Sequence, residues 1–306
     1  MKKFFWYLFK IFVSISLLWW LFQRVDLGKL WIEIYNVGIF YFVLSLLIWT
    51  ISWVVSSFKW KELLGFFCFK QNIWKLFLYN MVAIFYNIVL PGGKVAGDTI
   101  RAYQVARDHE GDKETKKKIA LIVLLDRGFL LFVFFVFTTL YVLVSPEKIS
   151  FLPNLEIIRF FSGTILVCGI VAIFSPVFDF ILPKFLKSIA WTLRSNKAGV
   201  FKVLGVSAIS VILSTFSIYV LNIGLEIPLG FWTLVFFNSI TVMLTLIPIT
   251  IAGIGLREGG LVYLFTQSGI AFPKALALSA LNLLLMLFLA TVGGIFEFYY
   301  HFLKRK

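Results

Sequence analysis

Long apolar runs separated by short charged connections dominate the chain, at 4–23, 38–58, 76–92, 119–145, 160–182, 203–223, 231–251 and 275–300, with a shorter one at 259–270. Most approach the ~20 residues a helix needs to cross a hydrocarbon core of about 30 Å, and none has the short alternation of a barrel strand. The pattern predicts an all-α polytopic membrane protein. The first run follows Lys2 and Lys3 as in a signal peptide. It ends Trp19-Trp20-Leu21-Phe22-Gln23-Arg24 with no small-residue cleavage site, so it reads as an uncleaved first helix. No linker or compositional shift interrupts the series, which predicts one integral membrane domain over 1–306.

Composition agrees: 60% of residues are apolar and 19% aromatic, with a mean hydropathy of +0.94. A soluble fold of this size would expose aggregation-prone patches, whereas lipid solvates such side chains directly. The net charge of +14 comes from 29 basic residues lying almost entirely between the runs. That distribution is the topogenic signal of a cytoplasmic face and argues against nucleic acid as a partner. Cys68 and Cys168 have neither disulfide nor metal spacing and read as small buried hydrophobes.

Loop charge also orders the runs. Lys2, Lys3 and Lys10 place the N-terminus in the cytoplasm; the 24–37 connection is near neutral and outside; Lys59, Lys61, Lys70 and Lys75 put the next one inside. The hydrophilic stretch 93–118 carries Lys94, Arg101, Arg107, Lys113 and Lys116 to Lys118, which is again inside. Both flanks of 76–92 are then cytoplasmic, so this run is expected to dip in and return. Lys304 to Lys306 call for an inside C-terminus, which makes 231–270 a second dip, from the outside, broken near Pro248 and Gly253. The expected architecture is about six full spans plus two re-entrant broken helices. It forms an inverted-topology repeat with halves roughly 1–150 and 157–306, in a cytoplasmic membrane with both termini inside. A shift of about 157 residues brings Leu90-Pro91 onto Ile247-Pro248 and places Asn80 and Arg101 one position from Asn238 and Arg257. Broken elements at a pseudo-symmetry axis are characteristic of transporters.

Candidate chemistry gathers at the two breaks. In Asn87-Ile88-Val89-Leu90-Pro91-Gly92-Gly93-Lys94-Val95-Ala96-Gly97-Asp98-Thr99-Ile100-Arg101, proline ends a helix and the glycines permit a tight turn. A helix beginning near Gly97 or Asp98 would aim free N–H groups at an anion, with Lys94 and Arg101 adding charge. A purely structural reading makes Asp98 the helix cap and lets Arg101 reach the interface. The second break contains Gly253 and Gly255 and then Arg257-Glu258, a pair costly in a membrane unless partnered. Arg257 is the anion ligand expected there, with Glu258 orienting it or balancing its charge. Asp126-Arg127, well inside the fourth run, cannot face each other on a helix. Glu297 is the partner considered for Arg127, and Lys94 or Arg101 for Asp126. His109 and His301 lack metal spacing, no Walker or Rossmann pattern occurs, and Asp108-His109-Glu110 with Asp112 and Glu114 reads as a solvated charge run. No cofactor, metal or enzymatic activity is expected.

Leu90-Pro91-Gly92-Gly93, Gly97 to Tyr103, Asp126-Arg127 and Pro-Ile-Thr-Ile-Ala-Gly-Ile-Gly-Leu-Arg-Glu-Gly from Pro248 together resemble the lysylphosphatidylglycerol synthase transmembrane-region family. That family includes flippase domains and membrane regions fused to glycosyltransferases acting on polyprenyl phosphates. The resemblance implies translocation or binding of a phosphate-bearing lipid, phospholipid or polyprenyl-phosphate, with Lys94, Arg101 and Arg257 on the phosphate. It also implies membrane lipids, and a lipid-modifying glycosyltransferase or synthase, as partners. With no catalytic domain after the last run, translocation is expected over synthesis. Two other activities suit the same residues. One is a secondary transporter of an organic anion. The other is a subunit or intramembrane enzyme of a glycolipid synthase, using Asp98, Asp126 and Glu258 as acids or bases.

Overall fold

The computed structural model describes residues 12–17, 19, 21, 23, 27–90, 94–109, 111–145, 156, 162–164, 166, 167, 169, 171, 175, 193–245, 250 and 252–302. The runs at 4–23 and 160–182 fall largely outside these residues, as do Pro91, Gly92, Gly93, Pro248, Cys168 and both chain ends. Every regular element described is a helix: α1 (Leu27–Asn36), α2 (Gly38–Gly65), α3 (Ile73–Val89), α4 (Lys94–Asp108), α5 (Lys113–Val144), α6 (Lys197–Gly224), α7 (Phe231–Leu244), α8 (Leu256–Gln267) and α9 (Phe272–Phe302). Of these, α2, α5, α6 and α9 are long and apolar enough to cross a membrane. At about 1.5 Å per residue, each exceeds the hydrocarbon thickness.

The shorter helices pair off around the two breaks. α3 and α4 run antiparallel: Gly97 N–H donates to Asn87 Oδ1 at 3.1 Å, Arg101 to Asn80 at 2.7 Å, and Gln71 and Tyr79 to Asp108 at 2.6 and 2.7 Å. A Cβ at Gly97 would collide with Ala83 O and Asn87, so the approach of the two helices requires glycine there. Where the sequence predicts a dip over 76–92, the chain forms a hairpin of two packed helices. Its second helix occupies what the sequence suggested was a hydrophilic connection. α4 forms there because its buried positions, Gly97, Asp98, Arg101, Gln104, Val105 and Ala106, fall on one stripe that returns every three or four residues. Half of that stripe is polar, which hides it from a hydropathy reading. α7 and α8 form the second hairpin, with the Phe237 and Phe265 rings 5.4 Å apart and Gly260 against Thr241 and Leu244. Its break is shaped by left-handed backbone at Ala252, Gly253 and Gly255.

The long helices frame the hairpins. α2 and α6 cross where Ser45 and Ser217 exchange hydroxyl-to-carbonyl bonds of 2.9 Å and Ser210 donates to Ser52 O. Small residues allow this close approach, and hydrogen bonds hold it where lipid offers no hydrophobic drive. α3 packs on α9, and α7 on α5, so the first helix of each hairpin leans on a long helix from the far half. Each hairpin is tied to its neighbouring long helix by one amide. Asn80 donates to Ser57 on α2, and Asn238, 158 residues later, donates to Thr215 on α6, 158 residues after Ser57. The free Cys68 is exposed rather than buried, in the α2–α3 turn, where its φ is 61°.

Candidate functional site

Between the hairpins and the α2–α6 crossing lies a cavity of ≈ 200 Å³. Its wall includes Lys59, Asn87, Arg101, Asp126, Arg127, Asn238, Arg257 and Asn282, with Ser52, Ser56, Ser210 and Ser214 from the crossing helices. Five charges on its α2–α4–α5 side form one chain. Lys59 Nζ lies 2.6 Å from Asp126 Oδ1, and Arg101 Nη2 is 3.0 Å from both Asp126 and Asp98. Arg127 grips Asp98 with two bonds, at 2.7 and 2.6 Å. Such charges persist in a low-dielectric interior only when each is partnered.

The sharing of donors distinguishes the cations. Arg101 is 4% exposed; it bonds Asn80, Asp98 and Asp126, and its guanidinium lies 3.9 Å from the Trp60 ring. It is a strut between α4, α3 and α5, stacked on α2. Arg127, 31% exposed in its side chain, gives Nε and Nη2 to Asp98 and lines the cavity. From the other half, Arg257 gives Nε and Nη2 to Glu258 Oε1, leaving Nη1 with a long 3.6 Å contact to Met286 sulfur. Glu258 accepts Gly255 N–H with its other oxygen, so the carboxylate caps α8 and orients Arg257 together. Asn282 is 6% exposed and lines the cavity.

Several expected placements are revised. α4 begins at Lys94, so Asp98 is an interior helical residue that receives Arg101 and Arg127 rather than a cap. Arg127 pairs with Asp98 and not with Glu297, which accepts the Tyr86 hydroxyl instead. Of the two partners considered for Asp126, Arg101 is present. Arg257 and Glu258 do pair, and the glycines between them and α7 supply the turn: Gly253 abuts Thr245, and Gly255 abuts Ser14 and Leu17. Lys94 heads α4, but its side chain, like Gly92 and Gly93, lies outside the described residues. Asp108 is no solvated charge. Lys75, Gln71 and Tyr79 surround it and close the open end of the first hairpin. Burial pushes its carboxyl up, but these three partners outweigh that and hold it below the ordinary aspartate range.

Sequence reasoning missed Lys59, taken for a loop charge just beyond an apolar run. α2 continues to Gly65, which leaves Lys59 2% exposed inside the fold. A signal existed: Ser45, Ser52 and Lys59 repeat every seven residues and so share one helical face. Asn80 and Asn282 were missed as site residues because an isolated amide in an apolar run has no pattern.

Compared with known proteins, residues 7–294 match the model of the lysylphosphatidylglycerol synthase TM region. No curated protein matches the chain.

Proposed function

The chain belongs to the lysylphosphatidylglycerol synthase TM region family, a membrane domain associated with lipid-related functions, and it is a multi-pass helical membrane protein. From that premise we propose that it takes a phosphate-bearing lipid by its headgroup and moves it across the cytoplasmic membrane, without itself making or breaking bonds. One observation carries the reading: Arg127 and Arg257, one from each half of the chain, line one small cavity together with the buried Asn282. The guanidinium fork matches a pair of phosphate oxygens, and two guanidinium groups lining one cavity suit a tetrahedral anion. Arg101 supports this pair from behind rather than touching the ligand.

The repeated Asn80–Ser57 and Asn238–Thr215 ties, and the reciprocal packing of α3 on α9 and α7 on α5, support two halves of inverted topology with re-entrant hairpins meeting at the cavity. The hydrocarbon would follow an apolar groove on the lipid side of α3 and α9. Phe85, Ile88 and Leu287 in that groove are sequence neighbours of the cavity residues Ile84, Asn87 and Met286, so one seam separates headgroup from chain.

The test is reconstitution of purified protein into liposomes with a fluorescent phospholipid in the inner leaflet, following its arrival outside by quenching. Wild type is expected to accelerate transfer, and Arg127→Ala and Arg257→Ala each to slow it at least tenfold, about the loss of one charge-assisted bond. Equal rates in wild type, both variants and empty liposomes sink the proposal.

A further inference from the structure

Three spanning helices end at one level of the fold. α2 and α6 are antiparallel, because Ser45 meets Ser217 and Ser52 meets Ser210, and this register sets the start of α2 against the end of α6. Gly224, the last residue of α6, abuts Val37 and Tyr41 there. α9 begins beside them, where Lys274 donates to Leu225 O at 2.9 Å. All three helices are long and apolar enough to span, so a membrane boundary crosses these ends. α1 lies at that boundary. Its ten residues cover only about 15 Å, too little to cross a bilayer, and Gly38, with a φ of 72°, turns the chain between α1 and α2.

α1 has three distinct sides. Leu30 is buried, Ile34 packs against the same apolar cluster, and this side leans on α9. Lys29, Glu33 and Asn36 recur every three or four residues on a second, polar side. The third side carries Trp31, Ile32 and Tyr35, which are 69%, 58% and 78% exposed. Exposed apolar positions continue into α2 at Ile39, Val43 and Leu47, one turn apart, on a helix whose uncovered side faces lipid. Trp232, at the start of α7 soon after α6 ends, is exposed as well. Tryptophan and tyrosine join an apolar ring to a polar N–H or O–H, and they collect where hydrocarbon gives way to headgroups.

We propose that α1 is an in-plane membrane-surface helix, whose Trp31, Ile32 and Tyr35 insert into the headgroup and upper acyl layer of the leaflet at which α2 begins. The division into a protein side, a lipid side and a water side is what a helix lying in the interface requires. A helix crossing the bilayer would have no use for the polar side, and one projecting into water would leave the aromatic side bare. The lipid surface is the occupant, because the patch runs on into the lipid face of α2 and sits at the level where the spans end. The same contact reaches the second hairpin. Leu30 and Ile34 share their cluster with Ile270 and Phe272, which connect α8 to α9, so α1 braces the end of that hairpin against the leaflet. None of this depends on what the cavity binds.

The experiment is site-directed spin labelling of the full chain in phospholipid nanodiscs, with Cys68 and Cys168 first replaced by serine. Nitroxides attached through Trp31→Cys, Ile32→Cys and Tyr35→Cys should be relaxed more by molecular oxygen, which dissolves in hydrocarbon, than by a water-soluble nickel chelate. A nitroxide attached through Lys29→Cys should show the reverse. The depths at 31 and 35 should agree, whereas a helix along the membrane normal would separate these positions by about 6 Å. Each labelled side chain is exposed, so the packing of Leu30 and Ile34 is kept, and if one variant fails to assemble the other two decide. Three results overturn the proposal: chelate relaxation exceeding that by oxygen at 31, 32 or 35; a depth step of the size given; or shielding from both reagents with spin–spin broadening, which would mean that a second copy covers this side.

Discussion

Arg101 and Arg127 both bond Asp98, yet their removal should have different consequences. Arg101→Ala strips a buried guanidinium from Asn80, Asp98, Asp126 and the Trp60 face at once. Charge-assisted bonds contribute about 1.5–3 kcal/mol each, but the three share carboxylates and do not add. The better guide is the breaking of a buried ionic cluster from one side, which costs about 3–5 kcal/mol. In Arg127→Ala, Asp98 keeps Arg101 as a partner, and the lost side chain was 31% exposed, so screening limits the cost to about 1 kcal/mol. Reversible unfolding in mixed micelles would give both values. A lipid-transfer assay on the same preparations, well below the unfolding transition, would show the reverse order of damage per folded molecule. Arg101→Lys should recover little stability, since an ammonium cannot both fork between two carboxylates and stack on indole. Equal destabilisation by the two alanine variants, or full recovery with lysine, would refute the division into strut and exposed edge.

Two further outcomes follow from the first hairpin. Asp108 has a folded pKa below its unfolded value, so its contribution is complete above about pH 4 and is lost as pH falls through the lowered folded value. Asp108→Asn should therefore destabilise the protein at pH 7, and the gap to wild type should close on acidification in a pH series of unfolding midpoints. Gly97→Leu places a side chain against Ala83 O and Asn87 and should separate α3 from α4 at a cost of about 3 kcal/mol or more, read as lower stability and faster amide exchange in 94–108.

What could be read from the sequence was what is local or repeated. The apolar runs of the described helices, the glycines before α8 and the adjacent Arg257-Glu258 pair each occupy a short window, and all were legible. Asp126 and Arg127 announced that they needed partners, because two adjacent charges inside an apolar helix cannot satisfy each other. Which partners they take depends on how α4 folds back against α5, and no window contains both helices. Lys59 lies 67 residues before Asp126, and only their pairing shows it to be buried rather than topogenic. α4 illustrates the same limit from the other side. Half of its buried face is polar, so a scale built on hydrophobicity counts it as a loop, while the network that pays for its burial is spread over three other helices.

The serine contacts between α2 and α6 bear on how the protein is made. Ser45 and Ser217 are 172 residues apart, so α2 enters the membrane long before its partner exists. A polar group waiting in lipid would ordinarily be a hazard, but a helical serine can turn its hydroxyl back to a carbonyl one turn earlier in its own helix. Ser57, Ser207 and Ser239 rest in that posture in the finished fold. A nascent α2 can therefore remain in the bilayer with its hydroxyls satisfied, and arrival of α6 requires only rotation about χ1. An early part of the chain is stable while alone and ready to be joined.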